Sequence, residues 1–415
     1  MIRRRYVLAA GLTAPFVANG AGAERVVIAG GGFGGATAAR FLRRLAPDLN
    51  VTLLEPNPVF TACPFSNLVL VGERGMAAQR FTYDQIRAGG ITVIPAAAAS
   101  IDPRARTVTT DNGEKLPWSR LILAPGIDII WNGLAGYDEP AAEKMPHAWK
   151  AGVQTELLRK QLQDMPDGGV VVMSIPPNPY RCPPGPYERA SLIAWYLKAK
   201  KPRSKLILLD SKDVFSKQKL FQQAWKALYP GMIEWVGLSD GGKVTRVEPE
   251  GMTFETEFGT HHADVGIVVP PQRAGAIAAR AGVSDRSGWC PIDPVTFESR
   301  LVPGIHVIGD AAIAGAIPKS AFAANAQGKA CAEAVVRLLG GEAPVEPRLI
   351  NTCYSIAAPD YGFSIAGVYR PLNGALTEIE GAGGTSPIAA PLEVRRLEAE
   401  DGEKWFQTIT AEVFR

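Results

Sequence analysis

The sequence predicts an α/β protein made of two Rossmann-like dinucleotide-binding domains, the second degenerate, followed by a C-terminal domain. Three observations carry this. A strand, glycine turn, helix and second strand, "RVVIAGGGFGGATAARFLRRLAPDLNVTLLEPN", open at residue 25. A second strand–helix–strand–helix run begins near residue 150, without the glycines. Two further apolar strands, ending in Pro-Gly and Gly-Asp, lie before and after that run, as in one nucleotide domain interrupted by an insertion. A chain of 415 residues with 47% hydrophobic content, 43 Gly and 33 Pro is long enough for several cores and too rich in loops for a helical bundle.

The first 23 residues read as an export signal. "MIRRRYVL" supplies a basic start, "YVLAAGLTAPFVA" a short apolar stretch, and Ala21-Gly22-Ala23 a small-residue cleavage site. Arg3, Arg4 and Arg5 before Tyr6-Val7-Leu8 resemble a twin-arginine signal, so a periplasmic location is expected. The apolar run is shorter than the ~20 residues a membrane span needs, and later apolar stretches are broken by charge, Gly or Pro. Without residues 1–23 the charges balance at 41 basic and 41 acidic residues. That leaves no basic stripe for nucleic acid.

Residues 24–149 form the first part of the nucleotide domain. Gly30, Gly32 and Gly35 fit G-x-G-x-x-G. Gly30 permits the tight turn, Gly32 lets a pyrophosphate approach the backbone, and Gly35 lets helix and strand pack closely. The helix start offers free N–H groups to phosphate, and Glu55, ending the second strand, is placed for ribose hydroxyls. FAD is favoured over NAD by "RLILAPGID", an apolar strand that ends at Pro125-Gly126 and would cross under the cofactor. "VPGIHVIGDAA", in the second part at 266–340, ends in Gly309-Asp310. Asp310 is placed to bond a ribityl chain, and the next helix would aim its start at the flavin ring. Lys319 and Ser320 begin that helix, to meet negative charge on a reduced ring or merely to cap the helix. The layout resembles the two-domain flavoproteins of the disulfide reductase type.

The inserted domain, 150–265, repeats the strand "VVVMSIP", the helix "ERASLIAWYLKAK", the strand "KLILLD" ending at Asp210, and the helix "KQKLFQQAWKALY". Its turn, "SIPPNPYRCPPGPYE", has prolines where a phosphate cradle would have glycines. Prolines lack N–H donors, so a nicotinamide nucleotide site is not expected. Cys182 instead sits in this loop, with Glu188 six residues on at the helix start. Cys353, in the apolar "LINTCYSIAAPDYGFSIAGVY" of the C-terminal domain (341–415), is a candidate partner. Two thiols near a flavin can run two-electron dithiol chemistry, whereas composition alone equally allows an inert disulfide or two buried thiols. Cys63, in the loop after Glu55, is placed for a thioether to the flavin or for plain packing. Cys290 and Cys331 read as packed residues. The four histidines, with His261 and His262 in a hairpin, make no metal constellation, and without C-x-x-C-H the chain attaches no c-type haem.

"RYVLAAG", "AGGGFGGATAARFLRR", "CPFSNLV", "PPNPYRCPPGPYERAS", "GWCPIDPVTFES", "IHVIGDAAIAGAIPKSAFAANAQGKACA" and "INTCYS" together resemble the flavoprotein subunit of flavocytochrome c sulfide dehydrogenase, over nearly the whole chain. The resemblance implies FAD held covalently through Cys63, a redox-active disulfide between Cys182 and Cys353, and Glu188 as the acid/base beside it. It also implies a heterodimer with a c-type cytochrome subunit that takes the electrons from sulfide, and a C-terminal region closing over the flavin with Trp405 near the ring. Two rivals stand beside it: a sulfide:quinone oxidoreductase, which would carry an apolar or amphipathic C-terminal segment, and a non-catalytic electron-carrier flavoprotein, whose cysteines would be dispensable.

Overall fold

The computed structural model describes residues 24–415; the expected signal segment, with its arginines and cleavage site, lies outside the described residues. Val26, Ile28, Leu53, Leu121 and Ile122 are wholly buried. Such continuous aliphatic runs suit strands covered on both faces. They form a five-stranded parallel sheet in the order Ile305–Val307, Arg120–Leu123, Arg25–Ala29, Asn50–Leu54, Thr92–Ile94. Residues distant in sequence, 30, 55, 124–126 and 308–310, therefore leave one carboxyl edge of the sheet side by side, the edge at which open α/β sheets bind ligands.

Two helices cover this sheet, Phe33–Leu45 and Ala321–Leu339. Small residues let them touch backbone to backbone: a Cβ on Gly328 would lie 2.6 Å from the Gly34 carbonyl oxygen. The cradle is as tight. A Cβ on Gly30, whose φ is +109°, would lie 2.2 Å from the Ala124 carbonyl oxygen, and one on Gly35 would lie 1.9 Å from that of Gly30.

The second sheet is four-stranded and parallel, ordered Ile233–Val236, Lys205–Asp210, Val170–Ile175, Val265–Val268. Its first helix, Gly185–Lys200, begins inside the proline loop, three residues earlier than the sequence suggests. Proline is tolerated in a first helical turn because the N–H it lacks has no partner there anyway. His261 and His262 lie on the strand Gly259–His262, paired with Thr253–Thr256 as the hairpin reading expects.

The C-terminal segment builds an antiparallel sheet, Leu349–Ala358, Tyr361–Leu372 and Ala375–Glu378, and then a 23-residue helix, Leu392–Phe414. The helix lies tightly on the sheet, since a Cβ on Gly362 would come 2.5 Å from the Ala399 nitrogen. Its end returns to the first domain, where the Phe414 ring stacks on Phe60 at 4.9 Å and on Phe81 at 5.4 Å. No helix among the described residues is long and apolar enough to cross a membrane.

Gly35→Ala is expected to destabilise the protein by on the order of 2–4 kcal/mol, because helix and turn must part to admit the methyl group. A lower thermal midpoint together with a reduced flavin content per chain is the expected outcome. An unchanged midpoint would show that the turn yields freely.

Candidate functional site

The three units meet around one cleft of about 610 Å³. Gly30 and Gly32 line it from the first turn, Glu55 from the end of the second strand, Pro125 and Gly126 from the crossing strand, and Gly309 and Asp310 from the last strand. Cys63, Cys182, Glu188, Cys353 and Trp405 line the same space. Two predicted residues do not. Gly35 sits behind the cradle as a packing residue. Lys319 is off the lining as well: its ammonium donates to the carbonyls of Asp310 (2.6 Å) and Ala312 (2.8 Å) and lies over the Trp289 ring at 3.9 Å. Burial lowers its pKa to about 8. Ser320 caps the helix, accepting from the Ala323 N–H at 3.0 Å, and Ser320, Ala321 and Phe322 present the helix start to the cleft.

The residues present fit FAD. A carboxylate oxygen of Glu55 accepts the Gly31 N–H at 2.8 Å, while its other oxygen takes both N–H groups of Asn57, so the acid is held at the end of its strand. Asp310 is largely buried, and its Oδ1 has no partner among the described residues. An orphaned buried acceptor beside a glycine cradle suits a hydroxylated ribityl chain. Burial raises the Asp310 pKa, against the pull of Arg181 and Lys319.

Sulfur chemistry gathers at the far side of this cleft. Cys182 has a left-handed backbone, φ +59°, uncommon for a residue with a side chain. Its N–H donates to the Lys319 carbonyl at 2.9 Å, and its carbonyl accepts the Gly185 N–H that begins the helix. Gly185 is needed there, since a Cβ would lie 3.1 Å from the Cys182 sulfur and 2.9 Å from the Trp149 ring. Cys353 comes from the strand Leu349–Ala358, and both residues are free thiols. Cys182 is open to solvent, yet the protein packed around it pushes its thiol up; Cys353 and Glu188 push it further, while Lys217 and Arg181 oppose.

Glu188 is gripped from two domains: Asn67 Nδ2 donates to one oxygen at 2.8 Å and the Ile356 N–H to the other at 3.2 Å. Burial raises its pKa, and the hydrogen bonds from Asn67 and Ile356 hold it back. Cys63 directs its thiol at the Trp149 carbonyl, 3.8 Å away, the same oxygen that accepts a guanidinium N–H of Arg181. Trp405 stacks with Phe322 at 5.8 Å, with Tyr354 beyond it at 6.2 Å.

Sequence reasoning missed several residues here. Arg189, 3% exposed, donates to the carbonyls of His147 (2.7 Å) and Ala148 (2.6 Å) and lies over the Trp149 ring. Arg181, adjacent to the singled-out cysteine, was findable by position. Lys217 and Trp149 carried no local signal. Cys290 and Cys331 are wholly buried, as packed residues should be.

The second nucleotide crevice is filled from within. Asp210 is wholly buried and accepts from the Tyr187 hydroxyl (2.6 Å), Trp235 Nε1 (3.0 Å) and the Lys212 ammonium (2.6 Å), while Phe215 stacks on Tyr187 at 3.6 Å. An acid that might bind a ribose has its lone pairs taken.

Glu188 has a folded pKa above its unfolded value, so its contribution to stability is full below about 4.5 and is lost as pH rises through the folded value. Glu188→Gln is therefore expected to gain stability relative to the parent as pH rises from 4 to 8. Thermal midpoints of both proteins across that range test it; a constant difference would place Glu188 in an unshifted environment.

Comparison with known proteins agrees with this geometry. A family described as "Pyridine nucleotide-disulphide oxidoreductase" matches residues 24–163. "Sulfide dehydrogenase [flavocytochrome c] flavoprotein chain, central" matches 155–270, and "Flavocytochrome c sulphide dehydrogenase, flavin-binding" matches 345–414. A relative from Chlorobaculum thiosulfatiphilum, "Sulfide dehydrogenase [flavocytochrome c] flavoprotein chain", is 58% identical over 48 residues, 12% of this chain and 100% of that sequence. The mitochondrial sulfide:quinone oxidoreductase of Mus musculus is 24% identical over 292 residues, 69% of this chain; the chain spans 65% of that relative's length. The X-ray structure of the sulfide:quinone oxidoreductase from Aquifex aeolicus superposes with a TM-score of 0.73 at 20% identity, covering 94% of this chain and 92% of that one, a likeness of fold.

Proposed function

The chain belongs to the flavoprotein family of flavocytochrome c sulfide dehydrogenases, and on that premise we propose that it oxidises hydrosulfide at Cys182 and Cys353 and passes the electrons to a c-type cytochrome subunit. The observation that carries this is the shared cleft: both thiols and Glu188 line the space that the glycine cradle and Asp310 line. A carrier without sulfur chemistry would need neither thiol there.

Bound FAD supplies a two-electron acceptor that can release electrons singly. The chain's own part begins with the oxidised pair. Hydrosulfide attack forms one sulfur–sulfur bond and breaks another, leaving a persulfide on one cysteine and a thiolate on the other. Glu188, its pKa raised by burial, is suited to hold the proton that sulfide gives up, and Asn67 and the Ile356 N–H keep its two oxygens in place. Arg181 sets a fixed positive charge between the cleft and Asp310, with its Nη1 4.0 Å from Asp310 Oδ2. Trp405, Phe322 and Tyr354 line the cleft beside Cys353 and present it an aromatic wall.

Covalent attachment of FAD through Cys63 is part of the same proposal, supported by the place of that thiol on the cleft wall. Export to the periplasm is a further part, supported by the signal-like residues 1–23. A quinone acceptor is the second reading, favoured by the likeness to sulfide:quinone oxidoreductases. Against it, the C-terminal helix buries Phe406, Ile409, Val413 and Phe414 inward and, apart from the buried Arg395, turns most of its charged residues outward.

Anaerobic sulfide titration of the purified protein is expected to bleach the flavin absorbance, while NADH leaves it unchanged. Cys353→Ser should keep its flavin and lose sulfide bleaching by at least about a hundredfold. Undiminished bleaching in the variant would leave the carrier reading standing; bleaching by NADH would overturn the reading of the filled crevice. Cytochrome c and a soluble quinone, offered side by side to the sulfide-treated protein, separate the two acceptors.

After acid denaturation, flavin is expected to stay with the peptide containing Cys63, and Cys63→Ala should release it. Free flavin from the parent protein would remove the covalent link.

A further inference from the structure

Lys217 is a buried cation that the chemistry above does not use. It is 8% exposed, has a left-handed backbone (φ +60°), and caps the helix Gln218–Leu228, its carbonyl accepting the N–H groups of Leu220 and Phe221 at 3.0 Å. Its ammonium donates to the carbonyl oxygen of Cys353 at 2.6 Å and lies 6.0 Å from the Phe363 ring. No carboxylate lies within 4.0 Å of it among the described residues, although other buried cations of the site have ionic or multiple partners: Lys212 has Asp210, and Arg189 has three acceptors. A buried ammonium with three donors and one neutral acceptor is costly, and a left-handed lysine adds backbone strain. The ammonium is not retained for stability, since an apolar side chain on the same stem would remove its desolvation cost.

What the ammonium faces explains it. Cys353 is bonded to it through its own carbonyl. Cys182 and Glu188 both lie within the range of its charge, which favours their ionised forms. With no carboxylate in direct contact among the described residues, a thiolate released at the pair would add negative charge beside the ammonium. We propose that Lys217, from the inserted domain, is a positioning residue and the standing counter-charge of the Cys182–Cys353 pair. It fixes the Cys353 backbone and draws the Cys182 thiol toward its ionised form, against the burial that opposes ionisation. This rests on the dithiol reading above but acts before any sulfide is turned over.

The pH test must count every charge facing the pair. Arg181 precedes Cys182 on the loop; Glu188 and Arg189 come from the helix Gly185–Lys200. Tyr180 lies within range of the charge of Cys182, and Tyr369, on the strand paired with that of Cys353, within range of the charge of Cys353. Lys217 is the charge on the remaining side, and its removal leaves the others in place.

The experiment is alkylation of the reduced, flavin-loaded protein by iodoacetamide as a function of pH, with the Cys182 peptide quantified by mass spectrometry. A Cys353→Ser background lets Cys182 titrate alone. Adding Lys217→Met should raise the alkylation midpoint by about one pH unit, so that below it Cys182 reacts about tenfold more slowly. Lys217→Arg should restore the rate to within about twofold. Flavin content and thermal midpoint are measured on each protein, and Lys217→Gln is read in the same way should the Met variant lose its flavin. An unmoved midpoint in the Met and Gln variants would overturn the proposal and leave Lys217 an anchor of the strand. That outcome is distinct from failure of the dithiol reading, which shows as sulfide bleaching that survives Cys353→Ser with Lys217 intact.

Discussion

The hydrogen bond from the Cys182 N–H to the Lys319 carbonyl, 2.9 Å long, is the constraint on which the site depends. It joins the proline loop of the inserted domain to the turn that leads into the helix Ala321–Leu339. Through Lys319 the link continues: the ammonium of that residue grips the carbonyls of Asp310 and Ala312, so one side chain and one carbonyl span thiol and nucleotide turn. A backbone bond cannot be replaced by a shift of rotamer. With Pro183, Pro184 and Pro186 stiffening the chain on its far side, the cysteine has little freedom to drift. The cost is the left-handed backbone at Cys182, tolerated because both ends of the loop are fixed.

Arg189 completes the seam. Its guanidinium, buried and bonded to the carbonyls of His147 and Ala148 and to the Asn67 side chain, joins the inserted domain to two segments of the first. Asn67 also holds Glu188, so its amide places the acid and the arginine together. Burial lowers the Arg189 pKa only to about 10, which leaves the group charged at any working pH. The same physics acts differently on His147, whose buried ring, beside Arg189, is driven to about 3 and stays neutral, its Nδ1 accepting the Trp149 N–H.

How much of this could be read from residues alone follows from range. The central strands of the two parallel sheets were legible because they are largely apolar runs ending in turns with their own chemistry. The edge strands Thr92–Ile94 and Ile233–Val236 are too short or too polar to announce themselves. Gly30, Asp310 and the prolines before Tyr187 are local signals of local geometry. That Cys182, Glu188 and Cys353 line one cleft needed the tertiary fold, although the motifs around them had pointed to each. Sequence places Lys319 at a helix start but cannot show that two carbonyls and an indole face engage its ammonium. Lys217 was invisible for the opposite reason. "FSKQKLF" is an ordinary helix opening, and only a strand more than a hundred residues later turns its ammonium into part of a sulfur site.

The loss of the second nucleotide cradle and the gain of the thiol site are one change seen from two sides. A cradle needs glycines with free N–H groups; a rigid pedestal for a cysteine needs prolines and a fixed backbone. The loop after Ile175 cannot meet both demands. Once the cradle is gone, Asp210 has no ribose to bind, and a bare carboxylate with no exposure would be expensive. Tyr187, Trp235 and Lys212 satisfy it instead, and Phe215 closes over Tyr187. This filled crevice backs the helix Gly185–Lys200 from behind, so the remains of one binding site hold Glu188 and Cys182 against the cleft of the other.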